Sequence, residues 1–181
     1  MSVSSLREKP IFMIRTLPTP QNFIIGTFVF LAAVVCVLAP IPLLYRSLGL
    51  LFATYLAFSV AGTPLAYLTA IISPLAGLVG GDLSWLILLP ILLASLLLAV
   101  LGLEYAWRYP ALLVSPLLYI TPQWLGQFLS KKELFAIQLP WEPAESWISI
   151  HLLAAVAATL VVIYIDRMRE RREQTKKPAK G

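Results

Sequence analysis

Ten residues of this chain have the side-chain types for shared chemistry: Asp82, Trp85, Gln123, Trp124, Gln127, Trp141, Glu142, Glu145, Trp147 and His151. Carboxylates, amides and flat aromatic faces at one level are what a partly dry mouth needs to bind a cationic or sugar-like headgroup. They are read as one ligand-binding group, with Asp82, Glu142, Glu145 and His151 as its polar members and the tryptophans as its walls. His151 lies about one turn inside the last apolar run, where it could share a proton with one of the carboxylates. The plainer alternative is an anchoring belt of interfacial tryptophans beside solvated acidic loop residues.

The same inventory excludes other chemistry. With one histidine and one cysteine, Cys36, the chain offers neither a disulfide, a CxxC redox pair nor a metal-ligand set. HExxH, GxSxG and P-loop patterns are missing, so no enzyme, catalytic residue or cofactor is expected.

The elements that must position the ten residues are apolar. Leu83 to Leu103 runs without a charge, between Asp82 and Glu104, and about twenty such residues are what a helix needs to cross a bilayer. Of 181 residues, 59% are hydrophobic and 13% charged, about half the charge of a soluble domain. The expected fold is all-α, a polytopic integral membrane helix bundle of about six transmembrane helices with proline-broken spans and one interfacial helix.

Residues 1–22 form an interfacial N-terminal segment, 23–165 the helical bundle and 166–181 a basic tail. Thr19-Pro20 opens the first span, which runs from Phe23 to Leu44 and is kinked or broken at Pro40 and Pro42, before a short Tyr45-Arg46 turn. From Ser47 to Gly81 there is no charge. A straight helix of that length would measure about 50 Å against a hydrocarbon layer of about 30 Å, so the chain must fold back.

Gly62-Thr63-Pro64 is the break, with Thr63 as cap, leaving spans of 48–62 and 64–79, or one span and a re-entrant segment. A fifth span starts at Tyr109-Pro110 and is interrupted by Pro116 and Pro122. Ser130 to Glu133 reads as a capping box for an interfacial helix, and Trp147 to Ile165 is the last span.

The formal net charge of +5 is concentrated in the tail. Six spans with both termini cytoplasmic place eleven of the fourteen Lys and Arg residues inside, and only Arg46, Lys131 and Lys132 outside. This charge pattern speaks of orientation and lipid, and nucleic acid is not an expected partner. Glu104 and Arg108, four apart, suit an ion pair at the inner boundary. Ala53, Ala57 and Ala61, with Ala66 and Ala70, have the small-xxx-small spacing that lets helices approach closely, within the bundle or against another subunit.

No family is recognised by motif. In span number, size and alanine-rich spans the chain resembles the small substrate-capture subunits of energy-coupling-factor vitamin transporters. More faintly it is similar to the cell-shape membrane protein MreD, through the glycine-rich span that ends in aspartate, Pro74 to Asp82. No functional residues are carried over from either.

Two functions are expected in that order: a subunit for capture or transport of a small molecule through an outward-facing aromatic and acidic site, or a non-catalytic scaffold binding partner membrane proteins. The first would borrow an ATPase module if driven by ATP. The expected location is a prokaryotic plasma membrane.

Overall fold

Thr19 accepts a hydrogen bond from the Asn22 N–H, and Pro20 takes the first helical position, where a missing N–H costs nothing. So begins α1, Pro20–Leu38, in a computed structural model that describes residues 19–106, 110–132, 139–140 and 143–176. Five more helices follow: α2 Leu43–Ala61, α3 Thr63–Ala76, α4 Leu83–Tyr105, α5 Ala111–Lys131 and α6 Ala144–Lys176. The expected interfacial helix falls mostly on 133–138, and the pairing of Glu104 with Arg108 falls on 108; both lie outside the described residues. So do most of the N-terminal segment and the last residues of the tail.

Proline and glycine set the boundaries. Pro40 and Pro42 end α1 outright, and Tyr45 and Arg46, expected in a turn, belong to the first turn of α2. Gly62, at φ 86°, closes α2 and is itself the N-cap of α3. Thr63 is therefore the first residue of α3 and makes no cap bond with its side chain. Gly81, at φ 65°, turns the chain into Asp82, whose carboxylate caps α4 by accepting from the Ser84 N–H at 3.0 Å. Ser130 and Lys131, expected to start a new helix, form the last turn of α5.

The structure is all-helical, and α1, α2, α4 and α6 (over Glu145–Arg169) are long and apolar enough to cross a membrane. α3, at 14 residues, is about 21 Å long. Cross-helix bonds show that successive helices alternate in direction. Arg46, Ser47, Asp82 and His151 meet at one end. At the other, the Tyr67 hydroxyl donates to Glu104 at 3.0 Å, and Arg169 donates to the carbonyls of Ser59 and Val60, which the end of α2 leaves without helical partners.

The middle of the bundle is α2. Around it α1, α3, α4, α5 and α6 follow one another as neighbours, and α1 and α6 do not close the ring. Between those two an apolar cleft of about 310 Å³ leaves Phe52, Ala53 and Leu56 of α2 open to the outside. Of the alanines expected to mediate close approach, Ala57, Ala61, Ala66 and Ala70 are buried within the bundle, while Ala53 lines this cleft. Outward faces carry large apolar side chains throughout, among them Phe28, Val35, Leu113 and Leu153. Exposed Tyr45 and Trp124 ring one end, and exposed Tyr105 and Tyr164 the other.

α4 and α5 approach closely at Gly102, where a Cβ would stand 2.8 Å from the Ser115 Cα and 3.2 Å from its nitrogen. Backbone cannot step aside as a flexible side chain can. Gly102→Ala is expected to destabilise the bundle by about 1–3 kcal/mol, read as a lower unfolding midpoint in detergent. Gly80→Ala, whose Cβ would meet nothing nearer than 3.5 Å, should leave the midpoint unchanged.

Candidate functional site

The end of the bundle that carries Asp82 is built around Arg46. From the first turn of α2 its guanidinium donates to the carbonyls of Ile41, at 3.1 Å, and Val37, at 3.5 Å, so it satisfies the turn and the C-terminus of α1. Its other arm forms a salt bridge with Asp82. Its central carbon lies 5.4 Å from the ring centre of Trp85, a cation–π arrangement. Both oxygens of Asp82 are thereby engaged, one by Arg46 and one by Ser84 N–H. The Arg46 hydrogen bond holds the Asp82 carboxyl below its ordinary value of 3.8.

Trp85 is fully buried and donates its indole N–H to the Pro74 carbonyl at 2.9 Å. Any Cβ at Gly77 would overlap that indole, which is why a glycine stands there. Asp82 and Trp85 thus lock α4 to the end of α3 and the start of α2.

A second polar group lies deeper, between α2, α5 and α6. His151 is fully buried, with its ring 4.3 Å from that of Trp147 and 6.1 Å from that of Tyr119, stacked on both. Its Nδ1 is 2.9 Å from the Trp147 carbonyl, which can only accept, so Nδ1 carries a hydrogen. Its Nε2 is 2.9 Å from the Ser47 hydroxyl, and that hydroxyl is 2.8 Å from the Leu44 carbonyl.

Ser47 has a single hydrogen for these two contacts. When it donates to Nε2 the imidazole is neutral. When it turns to Leu44, Nε2–H donates to Ser47 and the ring is an imidazolium. Rotation of one O–H therefore accommodates either state. The sequence pointed to a carboxylate as the histidine's partner, whereas these bonds run to a hydroxyl and a backbone carbonyl.

Gln123, also fully buried, accepts from the Trp147 indole N–H at 3.1 Å. An indole can only donate, so the amide oxygen must face it and the NH₂ must face elsewhere. That nitrogen has no hydrogen-bond partner, and neither has the Tyr119 hydroxyl one turn away on the same face of α5.

Ser73 and Ser95 are likewise buried without a partner, but a serine in a helix can turn to the carbonyl of the preceding turn. By contrast, the Tyr55 hydroxyl is satisfied: Ser115 donates to the Ala99 carbonyl at 2.9 Å and so receives from Tyr55 at 2.7 Å.

The ten residues read together from the sequence thus divide. Gln123, Trp147 and His151 meet in the buried group, and Asp82 and Trp85 in the Arg46 lock. Trp124 is 59% exposed and stacks on Phe128, away from both. Gln127 is half-buried, and Glu145 is exposed in the first turn of α6. Trp141 and Glu142 lie outside the described residues. Among the described residues no three His, Cys, Asp or Glu side chains are grouped to hold a metal.

Sequence reasoning missed Arg46, Ser47 and Tyr119 as members. A signal existed for Arg46, the only charge between Arg15 and Asp82 and opposite in sign to the latter.

Asp82→Asn keeps a capping side chain but loses the ion pair, an expected cost of about 1 kcal/mol. Because the folded carboxyl titrates below its ordinary value, its contribution is complete above that value and fades as pH falls through the folded one. Unfolding midpoints measured from about pH 6 down to about pH 3 should converge for wild type and variant at the acid end. Ser47→Ala strands the buried His151 Nε2 and should cost about 1–3 kcal/mol, with a changed Trp147 fluorescence reporting the disturbed stack.

No family model matches this sequence, and no curated protein or solved structure matches it.

Proposed function

We propose that the chain is an integral membrane protein that captures or transports a small molecule, with its site at the Gln123, Tyr119, Trp147 and His151 group. The observation that carries this reading is the pair of buried polar atoms, Gln123 Nε2 and Tyr119 Oη, which lie one turn apart without a hydrogen-bond partner. Native interiors seldom leave such groups unpaired, and polar or ionisable residues within apolar spans are placed there for function more often than for packing.

Membrane residence is supported by four long apolar helices, by outward faces rich in large apolar side chains, and by exposed aromatic residues at both ends. The proposed topology has six spans and both termini in the cytoplasm, in a plasma membrane, on the bias of Lys and Arg toward the end that holds Arg169. The site then opens from the opposite side, beneath Arg46 and Asp82. A scaffold reading has less to draw on, because Ala57, Ala61, Ala66 and Ala70 are used inside the bundle and only the cleft beside Ala53 stays open.

Purification in mild detergent, with mass spectrometry of both the proteins and the small molecules retained, tests this. A small molecule held by the wild type and lost from Gln123→Leu is the expected outcome, with or without an accompanying ATPase module. A stoichiometric membrane partner, no retained molecule and no effect of Gln123→Leu would replace the capture reading with the scaffold.

A further inference from the structure

Hydrogen counting at the buried group goes beyond the existence of a site and points to the chemistry of its ligand. Gln123 Nε2 bears two hydrogens and Tyr119 Oη one, and the Gln123 oxygen is already taken by Trp147. If a small rotation let the amide donate to the phenol oxygen, one amide hydrogen and the phenolic hydrogen would still lack acceptors. The Ser47 oxygen and the His151 nitrogens are engaged with each other and with backbone carbonyls. In the arrangement the structure has, the hydrogens on Gln123 Nε2 and Tyr119 Oη therefore have no acceptor.

The charge of a ligand follows from its surroundings. Arg46 faces Asp82, and Lys131 and Lys132 are exposed, so among the described residues an anion brought to this depth would meet no free cation to offset its desolvation. A cation would meet donors where it needs acceptors. Only an uncharged acceptor matches both conditions.

We infer that Gln123 and Tyr119 bind the oxygen of an uncharged carbonyl, a ketone, ester or amide set in an apolar frame, by donating an amide N–H and a phenolic O–H to it. This rests on the capture reading and narrows it to a substrate class. Trp147 is the positioning residue, since its indole N–H turns the amide so that the nitrogen faces the ligand.

The test uses the full chain in lipid nanodiscs, with empty nanodiscs as blank, and fluorine NMR of three probes that share one ring: 4-fluoroacetophenone, 4-fluorobenzoate and 4-fluorobenzylamine. The ketone is expected to bind in preference to the other two. Tyr119→Phe, which keeps the ring and removes only the hydroxyl, should weaken it about 3- to 10-fold, the loss expected of one hydrogen bond, and Gln123→Leu at least as much. Should Gln123→Leu fail to fold, Tyr119→Phe alone carries the comparison.

Preferred binding of the benzoate or the benzylamine, with the same sensitivity to Tyr119→Phe, would overturn the uncharged class while leaving a capture site in place. If no probe responds to either substitution, Gln123 and Tyr119 hold nothing beyond water and the assignment is overturned. A molecule retained by the purified wild type and lost from Gln123→Leu would separate that result from failure of the capture reading itself.

Discussion

One guanidinium ties together three segments distant in sequence. Arg46 donates to the Val37 carbonyl at the end of α1 and to the Ile41 carbonyl in the turn after it, holds the carboxylate that caps α4 and lies over the indole that α4 buries against α3. A charged side chain in this setting is tolerable because each of its directions has an acceptor or an aromatic face. The register of α2 follows from it, and with α2 the placing of Ser47 next to His151. The buried polar group is thus downstream of a surface lock: the same turn of α2 that supplies the cation supplies the hydroxyl one residue later.

Most hydroxyls within the bundle find their partners on their own helix. Thr54, Thr69 and Thr159 each donate to the carbonyl four residues back, which makes them polar in name and nearly apolar in effect. Against that background the Gln123 and Tyr119 pair stands apart, since the amide oxygen accepts from a tryptophan on another helix and the amide nitrogen and the phenol have no partner. Among the described residues most buried hydroxyls are satisfied, whereas Gln123 Nε2 and Tyr119 Oη have no hydrogen-bond partner.

How much of this could be read from the sequence depended on what kind of residue carried the signal. Backbone chemistry was legible: Thr19-Pro20, Pro40 and Pro42, Gly62 and Gly81-Asp82 all mark boundaries that the structure has within a few residues. Facing was not. Where both inward and outward sides are apolar, polarity no longer tells the core side from the outer side. Nothing in composition therefore distinguishes Trp85, fully buried, from Trp124, largely exposed. The site was correspondingly half legible: Gln123, Trp147 and His151 were identifiable as polar or amphipathic residues in apolar runs, whereas Ser47 and Tyr119 are ordinary helix residues whose role comes only from what faces them.

The open ring around α2 bears on the order in which the molecule can be assembled during synthesis. α1 buries only Gly26, Ala33 and Val37, against α2 and α3, and it emerges before either of them. It must persist for a time without α2 and α3, which its mostly apolar surface allows. The histidine and the tryptophan that complete the buried group sit on α6, which is made after α1 to α5. Until α6 docks, Ser47, Tyr119 and Gln123 lack the wall that shelters them, so this part of the interior is covered only after the other five helices have been made.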